Sequence, residues 1–217
     1  MADEVRIRAY EPRDRAAVRR LCCETALRGE PMDSLFSDRE VVADLLTRYY
    51  TDYEPGTAGV AECAGRVVGY LTGCLDRRRY QRLQIAWVIP RASLRAIAGG
   101  ALGRRETRRL LRAALRTWRL GGAWPLRIPG DYQGHLHVNI ERQLRGRQIG
   151  ERLVTRFLQQ AAAARIRGVY ATVRGDNPSA CRFFERIGFA PVARAVIVLP
   201  VGAALEDHTT IVYGRRL

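Results

Sequence analysis

Six residues, Arg145-Gly146-Arg147-Gln148-Ile149-Gly150, stand between a strand-like alternation and a helical one. A turn of this make-up suits an anion. Backbone N–H groups of the turn and of the helix start can point at the ligand, the helix dipole adds attraction, and small residues let the ligand approach the chain. Glycines also open helices for packing alone, so the turn by itself does not decide. His135 and His137 lie two apart on the preceding strand and therefore share a face. They could take a proton from an ammonium or bind a metal, but no third ligand is spaced nearby, and no metal is expected. Glu141 and Asp131 flank the same strand as further candidate bases, and Tyr170 on the next strand could donate a proton. Each has an ordinary alternative as a solvated carboxylate or a half-buried sheet tyrosine. The five cysteines, Cys22, Cys23, Cys63, Cys74 and Cys181, are odd in number and form no CxxC pair. They indicate neither a disulfide frame nor a zinc site.

The elements that must position these groups follow from periodicity. Val5–Tyr10 alternates as a strand, and a helix follows from about Asp14 with Ala17, Val18, Leu21, Cys22 and Thr25 at helical spacing. Gly29-Glu30-Pro31 breaks the chain. Ser37 with Glu40 reads as a capping box for a helix striped by Val41, Val42, Leu45, Leu46 and Tyr49. Ala58–Cys63 and Val67–Leu75 are strands about a tight turn at Ala64-Gly65-Arg66. Pro90 and Gly99-Gly100 interrupt the next stretch. Glu106–Leu120 then predicts an amphipathic helix with Leu110, Leu111, Ala114, Leu115 and Trp118 as its stripe. Pro125, Pro129 and Gly130 mark a loop. His135–Ile140 is a strand, Ile149–Arg165 a strong helix and Gly168–Val173 a strand. Asn177 caps a short helix with Pro178 at its first position. Ala195–Pro200 and Thr209–Tyr213 predict an antiparallel pair.

Composition sets the frame. The chain has 217 residues, 47% hydrophobic and 27% charged, which excludes a disordered chain, a collagen or a coiled-coil rod and favours a single domain. No apolar stretch is long enough to span a bilayer, and the acidic start Met1-Ala2-Asp3-Glu4 lacks an apolar leader. A cytoplasmic chain without a membrane partner is expected. The net charge is +15, and all 37 basic residues are Arg. Surface chemistry does not demand that exclusiveness, so it reads as codon bias. Residues 76–130 hold 14 Arg against Asp76 and Glu106, a net of +12. This region suits a basic wall of an acceptor cleft better than a nucleic-acid groove, because few aromatics are interleaved to stack bases.

The stretch His135-Leu-His-Val-Asn-Ile-Glu-Arg-Gln-Leu-Arg-Gly-Arg-Gln-Ile-Gly150 resembles motif A of the Gcn5-related N-acetyltransferases (GNAT), Q/R-x-x-G-x-G/A after a hydrophobic strand. Asn177-Pro-Ser-Ala-Cys-Arg-Phe-Phe-Glu-Arg-Ile-Gly-Phe189 is similar to that family's motif B, N-x-x-A-x-x-x-Y-x-x-x-G-F. His135-Leu136-His137 and the arginine-rich insert are more similar to one branch, bacterial acetyltransferases like the acetyltransferase-like domain of O-GlcNAc hydrolases. The resemblance implies an α/β fold over residues 1–217: a mixed, mainly antiparallel sheet of six or seven strands, helices on both faces and a helical insert at 76–130. The sheet should be splayed where the strand at His135 runs parallel to the one at Gly168.

It also implies acetyl-CoA as cosubstrate and direct transfer to a small primary amine or amino sugar without an acyl-enzyme; whether the chain forms a homodimer is left open. Val138, Asn139 and Ile140 would line the pantetheine arm, with a strand amide near Val138–Ile140 polarising the carbonyl. Arg145, Gly146, Arg147, Gln148, Ile149, Gly150 and Glu151 would hold the pyrophosphate, and Asn177 and Phe184 would meet the cofactor. His135, His137 and Glu141 are the catalytic candidates. Two residues depart from the pattern. Gln148 stands where the family has Gly, and Phe184 where many members have the Tyr that protonates the leaving thiolate. The readings that follow are an N-acetyltransferase, an acetyl-CoA-binding domain with weak or absent turnover, and, least favoured, an arginine-rich nucleic-acid binder.

Overall fold

The computed structural model of the chain describes residues 4–25, 38–122, 128–201 and 204–217. Among the described residues seven strands form one sheet: β1 (Arg6–Ala9), β2 (Gly59–Cys63), β3 (Arg66–Cys74), β4 (Gly134–Ile140), β5 (Gly168–Arg174), β6 (Ala190–Val201) and β7 (Ala204–Arg216). Their order is β1-β2-β3-β4-β5-β7-β6. Neighbours run antiparallel except β4 and β5, which are parallel. The helices are α1 (Arg15–Thr25), α2 (Arg39–Arg48), α3 (Arg77–Leu83), α4 (Ile89–Ala98), α5 (Arg105–Arg119), α6 (Ile149–Ala163) and α7 (Pro178–Arg186). No helix among the described residues is long and apolar enough to cross a membrane.

The splay follows from the register. β4 and β5 are joined only at Gly134–Val169 and His135–Tyr170. β4 nevertheless stays paired with β3 as far as Ile140–Gly69, and β5 with β7 as far as Arg174–Thr210. The sheet therefore opens as a wedge beyond His135. Helix α6 crosses between the two strands and buries Ile149, Leu153, Val154, Phe157 and Ala161 against Leu71, Leu136, Val169 and Ala171. Phe157 seats on Gly73, where an added Cβ would run into the ring, so glycine is needed there. On the other face α1 packs Val18, Leu21 and Cys22 on Val60, Val67 and Tyr70.

Several local expectations need adjustment. Asp38 caps α2, its Oδ1 accepting from the Val41 N–H at 3.1 Å; Ser37 lies outside the described residues, as do Gly29-Glu30-Pro31 and Pro125. Pro90 follows a π-helical turn over Gln84–Val88 that joins α3 to α4, and the chain stays helical through it rather than breaking there. The stripe expected on α5 is not its packed face. Ala113 is buried and Leu110 half-buried, whereas Leu111, Ala114, Leu115 and Trp118 are exposed. Asn177 does cap α7, accepting from the Ala180 N–H at 3.1 Å. The terminal pair runs as expected, with Ala195 opposite Thr210.

Candidate functional site

The wedge between β4 and β5 leaves one edge of β4 without a strand partner beyond the first pairs. Glu141 N–H donates to Val68 O at 2.9 Å, extending the ladder with β3. Strand alternation then sends the N–H and C=O groups of Val138 and Ile140 the other way, into the wedge. Arg145 closes over them, its Nε donating to Ile140 O at 3.2 Å.

The turn after β4 is built for an anion. Gly146 (φ 80°) and Gln148 (φ 59°) are both left-handed, which turns the chain sharply before α6. No side chain caps α6. The first intrahelical bond recorded at the turn runs from Arg152 N–H to Gln148 O at 3.0 Å, so the amides of Ile149, Gly150 and Glu151 precede it and lie at the open helix end. Uncapped amides and the positive end of the dipole make this end attractive to a phosphate. These residues line a cavity of about 540 Å³ together with Val138, Asn139, Ile140, Leu144, Arg145, Gly146 and Gln148 on one side and Asn177, Ser179, Ala180, Phe183, Phe184 and Arg186 on the other. A Cβ on Gly150 would come 3.3 Å from Phe183, so the glycine lets α7 close on α6. Eleven of the twelve residues expected to bind cofactor line this cavity; Arg147 is exposed beside it. A cleft of mixed polarity beside an unpaired strand edge, ending in uncapped amides and arginines, fits a long ligand with an anionic end.

A smaller cavity of about 250 Å³ adjoins the first, sharing Val138, Asn139, Asn177, Ala180 and Phe184 with it. Its remaining wall includes Cys22 and Thr25 of α1, Leu46 of α2, Tyr70 and Thr72 of β3, His137 of β4 and Thr172 and Arg174 of β5. His137 is half-buried here, and desolvation lowers its pKa to about 4. His135 lies behind it, ring centroids 4.4 Å apart, stacked on Tyr170 and with Nδ1 3.1 Å from the Tyr50 hydroxyl. Burial, then the neighbouring His137, pushes His135 well below its ordinary value. Both imidazoles are therefore neutral at neutral pH. Asn139 Nδ2 donates to the Tyr70 hydroxyl at 2.8 Å, and the hydroxyl in turn meets the Cys22 thiol. Burial holds that phenol well above its usual value. The Cys22 thiol is pushed up to about 12 by burial, so it is no nucleophile at neutral pH.

Other candidates fall outside both cavities. Glu141 forms a bidentate pair with Arg66 and faces Arg20 as well. Its carboxylate is thus occupied at the sheet edge and lines neither cavity. Asp131 is paired with Arg167 and Arg216. Tyr170 is buried beneath His135. Nor does the arginine-rich insert form the expected cleft wall; none of its described residues lines either cavity, because α5 packs on β6, away from the wedge. Tyr70, Tyr50 and Thr72 were not singled out from sequence. Alternation puts Tyr70 and Thr72 on one face, but only the register of β3 on β4 brings them beside Asn139 and His137.

Residues 25–189 match the acetyltransferase (GNAT) family. Among solved structures, SsHAT is similar over 98% of both chains at 25% identity and a TM-score of 0.70. An N-acetyltransferase from Staphylococcus aureus Mu50 is similar over 98% of both chains at 13% identity and a TM-score of 0.58. The protein yncA from Salmonella typhimurium, solved with its cofactor acetyl-CoA, is similar over 98% of this chain and 94% of its own at 15% identity and a TM-score of 0.57.

Proposed function

The chain belongs to the acetyltransferase (GNAT) family, and from that premise we propose that it transfers the acetyl group of acetyl-CoA directly to the nitrogen of a small primary amine or amino sugar. The observation that carries the proposal is the uncapped start of α6 opening onto the cleft where β4 and β5 part. Acetyl-CoA is a substrate here: its thioester carbon gains a bond to the amine nitrogen as the C–S bond breaks and CoA leaves as the thiolate.

In this reading the amides of Ile149, Gly150 and Glu151, with Arg145 and Arg186, bind the pyrophosphate. The outward backbone of Val138 and Ile140 pairs with the pantetheine arm, and a strand amide there polarises the thioester carbonyl. Asn177, its Oδ1 committed to the α7 cap, offers its Nδ2. The acceptor occupies the smaller cavity. That cavity's lining holds three threonines and Arg174 and no carboxylate among the described residues, which suits a neutral, hydroxyl-bearing amine over a polycation. His137 receives the proton from the attacking nitrogen. It is neutral and so able to accept, though the burial that lowers its pKa to about 4 makes it a weak base; the His135 ring packs against it.

A second reading, acetyl-CoA binding with little turnover, is favoured by Phe184. Its ring borders both cavities, packs on Phe189 and Tyr213, and has no proton to give. Tyr70 is the hydroxyl that could serve instead. Calorimetry with acetyl-CoA, followed by an amine panel with detection of free thiol, separates the readings. Binding with thiol release supports transfer, binding without release across a broad panel supports the second reading, and absence of binding rejects both.

A further inference from the structure

Helix α5 runs over Arg105–Arg119, ~22 Å at 1.5 Å per residue. It touches the rest of the fold along one flank. Ala113 is buried, Leu110 packs against the cluster of Ala92 and Ala101, and Thr117 Oγ1 accepts from the Val198 N–H at 2.8 Å. Each residue turns the helix by about 100°, so Leu111, Leu115 and Trp118 gather on the adjoining arc. They are 62%, 48% and 68% exposed. Beyond them, the third arc carries Arg105, Arg108, Arg112, Arg116 and Arg119, all exposed. Arg116 reaches Asp207 at 3.0 Å. Arg105, Arg108, Arg109 and Arg112 alone line a shallow concavity of about 250 Å³.

We propose that this face docks on an anionic lipid bilayer, the Leu111–Leu115–Trp118 stripe entering the headgroup boundary and the arginine arc meeting the lipid phosphates. A helix with a Trp-bearing apolar arc beside a cationic arc lies in the plane of such a surface. No spanning segment is required, so the expectation drawn from sequence that the chain has no membrane partner gives way to a peripheral contact. The charge selects the partner. A second copy would set two arginine arcs against each other. A nucleic acid would meet the arginines but leave the apolar stripe in water, because its affinity comes from phosphate contacts. The inference rests on this exposed face alone and is independent of the proposed acetyl transfer.

The test sediments the full chain with vesicles of phosphatidylcholine alone, or with phosphatidylglycerol added, at low and at physiological salt. The native chain should bind only the anionic vesicles. Arg108→Glu with Arg112→Glu should weaken partition by about 25-fold or more, at about fivefold per arginine neutralised. Leu111→Ser with Trp118→Ser, which leaves the charge unchanged, should weaken it by about tenfold or more. All four positions are exposed, and an unchanged melting temperature checks that the variants fold. Four results would overturn the proposal: no binding to anionic vesicles; undiminished binding by the Leu111/Trp118 variant; displacement of vesicles by duplex DNA at physiological salt; or a dimer that Trp118→Ser dissolves.

Discussion

Gln148 holds φ at 59° at the head of α6, with an exposed side chain that makes no cap bond. A non-glycine residue in the left-handed region costs about 1–2 kcal/mol, and nothing recorded for the Gln148 side chain offsets it. Replacing it by glycine releases that strain but loosens the unfolded chain, a loss of about 0.5–1 kcal/mol. The net gain for Gln148→Gly is about 0.5–1 kcal/mol. In a chain of this size that raises the melting temperature by roughly 1–4 °C. Ala64, also exposed and at φ 48° in the turn between β2 and β3, is the control. Ala64→Gly should give a similar rise. The two variants should differ in calorimetry with acetyl-CoA. Gln148→Gly, with its side chain gone from the phosphate end, should bind at least as tightly as the native chain, whereas Ala64→Gly should bind identically. A fall in melting temperature for Gln148→Gly, with a rise for Ala64→Gly, would refute the reasoning, since it would mean the Gln148 side chain stabilises the turn.

Three further outcomes are expected. If departure of the thiolate limits turnover, Phe184→Tyr should raise it by up to the roughly 10²–10⁴ that a positioned acid supplies, and steady-state thiol release reads this directly. If Tyr70 already supplies the proton, Tyr70→Phe should lower turnover and the added Phe184→Tyr should restore it; failure of the rescue would remove Tyr70 from that role. The third concerns pH. His137 falls to about 4 in the folded chain against an ordinary 6.5, so between these values the unfolded chain binds the extra proton. The stability that neutral His137 allows is complete above about pH 6.5 and is lost as pH falls through the window, by up to about 3 kcal/mol. His137→Gln should flatten the decline in melting temperature over that range; an identical decline would show that His137 is not buried as described.

What the sequence made legible was local. The turn at Ala64-Gly65, the cap at Asn177 and the glycine turn before α6 each depend on a few adjacent residues, and each stands where spacing put it. Helix α2 is capped by Asp38, one residue after the serine that the spacing suggested, and Ser37 itself lies outside the described residues. The insert misled because periodicity reports which residues share a face and not what covers that face. Leu111, Leu115 and Trp118 do align, but toward solvent. Glu141 looked available beside the strand, yet its partner Arg66 lies 75 residues away, a pairing made only when β3 docks on β4. The smaller cavity was hidden for the same reason. Tyr70, Thr72, His137 and Thr172 come from three strands, and no spacing within one segment could assemble them.

The central claim is that the open start of α6 binds the pyrophosphate of acetyl-CoA, and titration calorimetry of the native chain beside Gly150→Glu tests it most directly. The substituted side chain would press on Phe183, 3.3 Å from the new Cβ, and set a carboxylate against the ligand phosphates. Its melting temperature without ligand must therefore be measured to establish that it folds. The account predicts one site per native chain for both acetyl-CoA and CoA, weakened by salt, with no measurable heat for the folded Gly150→Glu protein. Absence of heat from the native chain at millimolar acetyl-CoA, or equal affinity in the folded variant, would contradict it.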